Sequence, residues 1–285
     1  TVFLPNEKEF IAKIIGRDTK TDLAVLKVNT EGEKLPFVEF GDSDILRVGD
    51  WVLAVGNPFG LGGTVTAGIV SARGREIGQG QYDDFIQTDA SINRGNSGGP
   101  LFDMSGKVIG VNTAIFSQSG GSVGIGFAIS SNLANTVVKQ LVEFGRTRRG
   151  WLGVYIQDVT EEIANSLDFD ETRGALVSSV RPGSPAESAK IKPGDIVLSF
   201  DGKRIGKMKE LPRIVAETEV GSKVTVEVWR EGSLKKLTVV LGELEIAENT
   251  GEASSEKTVD TLEVINELGV TIAAMNSEIS SQFDI

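Results

Sequence analysis

The 285-residue sequence contains neither cysteine nor histidine. No disulfide and no thiolate metal site is possible, and any metal would have to rest on carboxylates alone, so no metal or other cofactor is expected. Basic runs are short as well: the formal charge is −11, and the densest cationic stretch is Arg146, Arg148 and Arg149. That balance argues against nucleic acid and against an anionic lipid surface as partners. No apolar stretch approaches the ~20 residues that a membrane-spanning helix needs, so no stable membrane insertion is expected. The opening Thr1-Val2-Phe3-Leu4 lacks the charged-then-apolar layout of a signal peptide and reads as strand interior, so a segment upstream of it is expected.

What is present fits about two domains, with 40% hydrophobic residues to fill their cores. Residues 1–129 read as nearly all strand, with short apolar or alternating runs at 10–15, 23–28, 51–55, 65–71, 108–114 and 124–129 between turn residues such as Gly56-Asn57-Pro58. Such spacing points to a barrel or sandwich rather than a parallel sheet. A helix follows, capped at Ser130, Ser131 or Asn132, with Leu133, Val137 and Leu141 on one stripe and Gly145 at its end. After a polar, basic connector at 146–150, a second unit covers 151–243. It has strands at 175–180 and 195–200, a hairpin over 223–241 turning at Glu231-Gly232-Ser233, and helices starting at Ser184-Pro185 and covering 209–218. Residues 244–261 have the acidic, small-residue composition of a linker. Residues 262–285 begin another apolar pattern around Leu268-Gly269-Val270 and stop before it closes a core.

The segment Gly95-Asn96-Ser97-Gly98-Gly99-Pro100 has the chemistry of a nucleophile turn. Small neighbours let a carbonyl reach a serine hydroxyl, and they let the amides of Gly95 and Ser97, with Asn96 shaping the turn between them, converge on a developing oxyanion. A flexible Gly-Asn-Ser-Gly loop is the plainer reading of the same residues. Asp22, entering the apolar run Leu23-Ala24-Val25-Leu26, fits an orienting carboxylate and equally an ordinary strand-edge aspartate. A serine hydroxyl needs a base, and none of Lys13, Lys20, Lys27 or Lys107 has a spacing that singles it out for that role.

The words Thr21-Asp22-Leu23-Ala24-Val25-Leu26, Gly56-Asn57-Pro58, Val65-Thr66-Ala67-Gly68-Ile69-Val70-Ser71, Ile86-Gln87-Thr88-Asp89-Ala90 and Asn93-Arg94-Gly95-Asn96-Ser97-Gly98-Gly99-Pro100 occur in this order. In that order they resemble the HtrA/DegP family of periplasmic serine endoproteases. The second unit resembles a PDZ domain through Arg149-Gly150-Trp151-Leu152-Gly153-Val154, Arg181-Pro182-Gly183-Ser184-Pro185-Ala186 and Ile191-Lys192-Pro193-Gly194-Asp195.

The resemblance implies a mainly β chain. A chymotrypsin-like double β-barrel protease domain, lacking its N-terminal part, covers 1–145, a first PDZ domain 151–243, and the beginning of a second 262–285. It makes Ser97 the nucleophile and Asp22 the orienting acid, with Gly95, Asn96 and Ser97 forming the oxyanion hole. The family's histidine lies further upstream than the 21 residues before Asp22. The chain as it stands is therefore expected to be inactive. A cleft strand at Thr113, Ala114, Ile115, Phe116 and Ser117 would pair with substrate, and Ile92, Phe116 and Ile125 would line the specificity pocket. That all three fill the barrel core is the competing reading. Arg75 matches a regulatory loop arginine, and Trp151, Leu152, Gly153, Val154, Tyr155 and Ile156 would edge a groove for peptide C-termini. The implied function is ATP-independent degradation of misfolded or unfolded proteins in the periplasm, with chaperone-like holding, by homotrimers and larger homo-oligomers and with a signal peptide upstream. A non-catalytic chaperone or peptide-binding scaffold of the same fold is the alternative.

Overall fold

A computed structural model describes residues 1–250, except 5, 7, 61, 79, 81 and 119, and the backbone of 263–265 and 270–272. The chain divides into a unit Thr1–Glu245 and a unit Ile246–Ile285.

The N-terminal strands form two separate hairpins, β1 (Val2–Phe3) with β2 (Glu9–Phe10) and β3 (Ala12–Asp18) with β4 (Leu23–Val28). The single strand expected over 10–15 is broken at Ile11, whose side chain is exposed. Next come β5 (Trp51–Gly56), β6 (Thr64–Arg75), β7 (Phe85–Thr88), β8 (Pro100–Asp103), β9 (Val108–Ile115) and β10 (Gly126–Ser130). They close into one barrel in the order β10-β7-β6-β5-β8-β9, which leaves none of its strands with an open edge. Alternation fills it: Val52 and Ala54 of β5 point inward with Val70, Ile86, Leu101, Ile109 and Ala128, while Trp51 faces outward. β6 runs past its expected end, because two register shifts against β7 let it bend and continue.

Helix α1 (Ser131–Phe144) buries Ala134, Val137 and Leu141 and ends at Gly145, φ 71°, whose N–H bonds Leu141 O. The three candidate cap side chains do other work. Ser130 Oγ donates to Asp84 (2.7 Å), Ser131 Oγ to Gly41 O (2.8 Å) and Asn132 Nδ2 to Asp42 (2.8 Å), so they tie the helix start to the barrel.

The second half contains β11 (Gly150–Trp151), β12 (Val154–Gln157), α2 (Glu161–Ser166), β13 (Ala175–Val180), α3 (Pro185–Ser188), β14 (Ile196–Phe200), β15 (Lys203–Arg204), α4 (Glu210–Glu217), β16 (Lys223–Arg230), β17 (Ser233–Val240) and β18 (Gly242–Glu243). Its main sheet runs β12-β13-β14-β16-β17, with β15 on β14, and β11 pairs with β18. The β16–β17 turn places Glu231 (φ 52°) and Gly232 (φ 71°) in the left-handed region that a two-residue hairpin requires. Phe200, Ile205, Leu211, Val226 and Val239 fill the core between sheet and α4.

Two expectations are corrected. The basic connector is no free link: Arg149 is buried between Asp18 and Glu245, and Arg146 and Arg148 both pair with Glu243. Nor are residues 244–261 linker throughout, since α5 (Leu244–Asn249) begins the stretch, fixed at its start by Leu244 N–H to Arg149 O. The acidic residues that read as linker composition are ion-pair partners for that connector. Beyond the helix, β19 (Glu263–Ile265) and β20 (Val270–Ile272) make a hairpin. The remainder of the expected further domain lies outside the described residues.

Candidate active site

The turn carrying Ser97 is built by close backbone packing. Asn96 N–H bonds Asn93 O and Gly99 N–H bonds Asn96 O, each at 3.0 Å. Gly98 N–H donates to Asn112 O (2.8 Å), and Asn112 N–H returns a bond to Gly99 O (2.9 Å). A Cβ on Gly99 would lie 2.1 Å from Val55 O, and one on Gly95 (φ 104°) 2.4 Å from Asn57 O. These two glycines are therefore sterically required, which a merely flexible loop would not demand. No acceptor among the described residues takes the N–H of Gly95 or Ser97, so both donors remain available beside the exposed Ser97 hydroxyl. Ser97 Oγ itself donates to Thr113 O at 2.9 Å. The Asn96 side chain turns away from this space, buried against Gly56, with Nδ2 directed at Ser91 O. Asn96 thus contributes its backbone to the turn.

Asp22 stands exposed at the entrance of β4 with φ 55°, a left-handed conformation that aspartate tolerates better than most residues. The turn before it is tied down by Asp18, which accepts from Thr21 Oγ1 and from both terminal nitrogens of Arg149. Burial works to raise the Asp18 pKa, but the bonds from Arg149 and Thr21 and the guanidinium charge outweigh it, and the carboxyl is held below its usual range. No hydrogen bond among the described residues joins Asp22 to Ser97.

Thr113, Ala114 and Ile115 end β9, and Phe116 continues the line with its N–H on Ile125 O (3.0 Å). Ser117 Oγ accepts from Gly120 N–H. The three specificity candidates fall in different surroundings. Ile92 is 1% exposed in the barrel core, Ile125 packs on the cluster of Phe85 and Phe127, and Phe116 is exposed.

Arg75 bonds Gln87 Oε1 at 3.0 Å and lines a charged cleft with Glu76, Asp83, Lys207 and Arg213. Across it Arg213 meets Asp84 at 3.3 Å and Lys209 pairs with Glu76. Sequence reasoning missed these pairs, because the partners lie more than a hundred residues apart.

Of the groove candidates, Trp151 pairs with Gly242, and Leu152 is buried in the core of the second half. Val154 and Ile156 pack against that core, which leaves Tyr155 on the opposite face. Leu152 O and Gly153 O accept from Ala186 and Arg181 N–H, each at 2.9 Å. β12 is an edge strand of the sheet, with β13 as its neighbour. Among the described residues no cluster of three His, Cys, Asp or Glu could hold a metal, and no helix is long and apolar enough to cross a membrane.

This geometry agrees with comparisons to known proteins. Residues 1–111 match the trypsin-like peptidase domain family, and residues 122–241 match the PDZ domain family. The solved HtrA-type protease AlgW with decapeptide is 47% identical, with a TM-score of 0.72 over 85% of this chain and 74% of that one. The chain belongs to the HtrA family of serine proteases. A serine endoprotease from Yersinia pestis, also solved, is 37% identical with a TM-score of 0.61 over 85% of this chain and 79% of that one. A probable periplasmic serine endoprotease, DegP-like, from Bartonella henselae is 53% identical over 274 residues, which is 95% of this chain and 54% of that protein. One of the same description from Rhizobium meliloti is 50% identical over 95% of this chain and 55% of that protein. The chain thus spans about half the length of the curated relatives it matches. In this HtrA-family chain, Ser97 and Asp22 lie in the trypsin-like match and 151–156 in the PDZ match.

Proposed function

We propose that the protein is a periplasmic serine endopeptidase acting on misfolded or unfolded proteins. Ser97 Oγ attacks the scissile carbonyl, and the Gly95 and Ser97 amides receive the oxyanion. Asp22 orients a histidine base supplied from outside these 285 residues. Residues 113–117 pair with the substrate backbone, and the 151–156 edge takes peptide C-termini. The observation that carries this reading is the pair of unclaimed amides at Gly95 and Ser97, beside an exposed hydroxyl on a turn whose glycines cannot be replaced. The peptides bound in the solved AlgW structures support the groove assignment. Assembly as homotrimers and larger homo-oligomers, and chaperone-like holding, belong to the same proposal.

In the full-length protein a fluorophosphonate should label Ser97, and Ser97→Ala should abolish casein degradation, a loss on the order of 10⁴-fold or more. Casein degradation undiminished in Ser97→Ala would sink the assignment. The bond from Ser97 Oγ to Thr113 O favours a second reading, a peptide-binding holdase whose serine is not activated. That reading requires the wild-type full-length protein to resist labelling while it still suppresses aggregation.

A further inference from the structure

The upper end of the β12 edge carries a cationic side chain that the groove assignment does not use. Arg181 follows β13 directly, and its N–H bonds Gly153 O at 2.9 Å, which roots it beside the turn that would hold a terminal carboxylate. From there the side chain crosses to the edge strand. Its guanidinium carbon sits 4.6 Å from the Tyr155 ring centroid, and Nη2 donates to Tyr155 Oη. The aromatic face and the phenol oxygen fix the plane of the guanidinium, and Tyr155 remains 38% exposed.

A peptide added along β12 alternates its side chains in step with the strand. Val154 and Ile156 face the core, so a terminal apolar side chain must share their face. The penultimate side chain then shares the face of Tyr155, at the end where Arg181 is rooted. We propose that Tyr155 and Arg181 form a subsite that selects a carboxylate, Asp or Glu, at the penultimate position of a C-terminal peptide. The inference rests on the groove reading above and adds the chemistry of the residue it prefers. A planar guanidinium held by an aromatic ring presents a two-pronged donor edge that matches a carboxylate and repels a lysine.

The test is fluorescence polarisation of the full-length protein with labelled decapeptides that end in Glu-Phe, Gln-Phe or Lys-Phe, each as free acid and as amide. Wild type should bind the Glu peptide about 3- to 10-fold more tightly than the Gln peptide, and the Lys peptide weakest, with the spread narrowing as salt rises. Arg181→Gln should level the series without loss of binding, and Arg181→Glu should invert it towards Lys. Equal affinity of the three free-acid peptides for wild type, each tighter than its amide, overturns the subsite and leaves the groove intact. Equal binding of acids and amides overturns both.

Discussion

Asn112 is 1% exposed on β9, and no motif marks it. Its backbone clasps Gly98 and Gly99, while Nδ2 reaches Val55 O (3.4 Å) and Pro100 O (3.3 Å), so one residue links β5, β8 and the nucleophile turn. Removing that donor leaves two carbonyls poorly satisfied, at a cost of about 1–3 kcal/mol. Asn112→Ala is expected to lower the melting temperature and to slow fluorophosphonate labelling of Ser97 by roughly tenfold, since about 1.4 kcal/mol of misplacement is a factor of ten. KM should change little, because residues 113–117 keep their backbone. Unchanged labelling kinetics would show that the turn holds its shape without the amide.

At the scale of elements, the β3–β4 turn and the 146–150 connector stabilise one another through Asp18 and Arg149. The carboxyl of Asp18 titrates below its ordinary value, so its contribution is fully present above the unfolded pKa of about 3.9 and is lost as pH falls through the lowered folded value. Thermal melts of wild type and Asp18→Asn should differ at pH 5–8 and converge below about pH 4. A gap that persists unchanged at pH 2–3 would mean that the carboxylate charge is not what matters. Helix α2 makes a related point about local signals. Thr160 caps it through Ile163 N–H, with Glu161 and Glu162 in its first turn, yet six residues give too short a period to stand out in the sequence.

Across the whole molecule, the barrel and the PDZ half are held together by charges that converge from distant positions: Asp18 with Arg149, Asp84 with Arg213, Glu76 with Lys209. Arg149 is buried, and removing it leaves Asp18 without its charge partner, a loss in the class of several kcal/mol; the two more exposed pairs contribute little each. Calorimetry of the full-length protein should therefore show residues 1–245 unfolding as one transition. Arg149→Ala combined with Arg213→Ala should split it in two, with the PDZ half melting separately. A single transition in the double variant would place the coupling in apolar contacts instead.

Strands 23–28, 175–180 and the 223–241 hairpin, the stripe and Gly145 stop of α1, and the Ser97 turn were legible from residue order, because period, turn chemistry and steric need for glycine act over a few neighbours. Ordered words then supplied the family. Which hydroxyl caps and which one ties α1 to the barrel depended on tertiary partners, as did the burial of Ile92, the fate of the basic connector and the helix opening the acidic stretch. So did the meeting of Arg181 with Tyr155. Such outcomes are set by groups brought together from 26 to more than a hundred residues apart, and no local pattern encodes a distance of that kind.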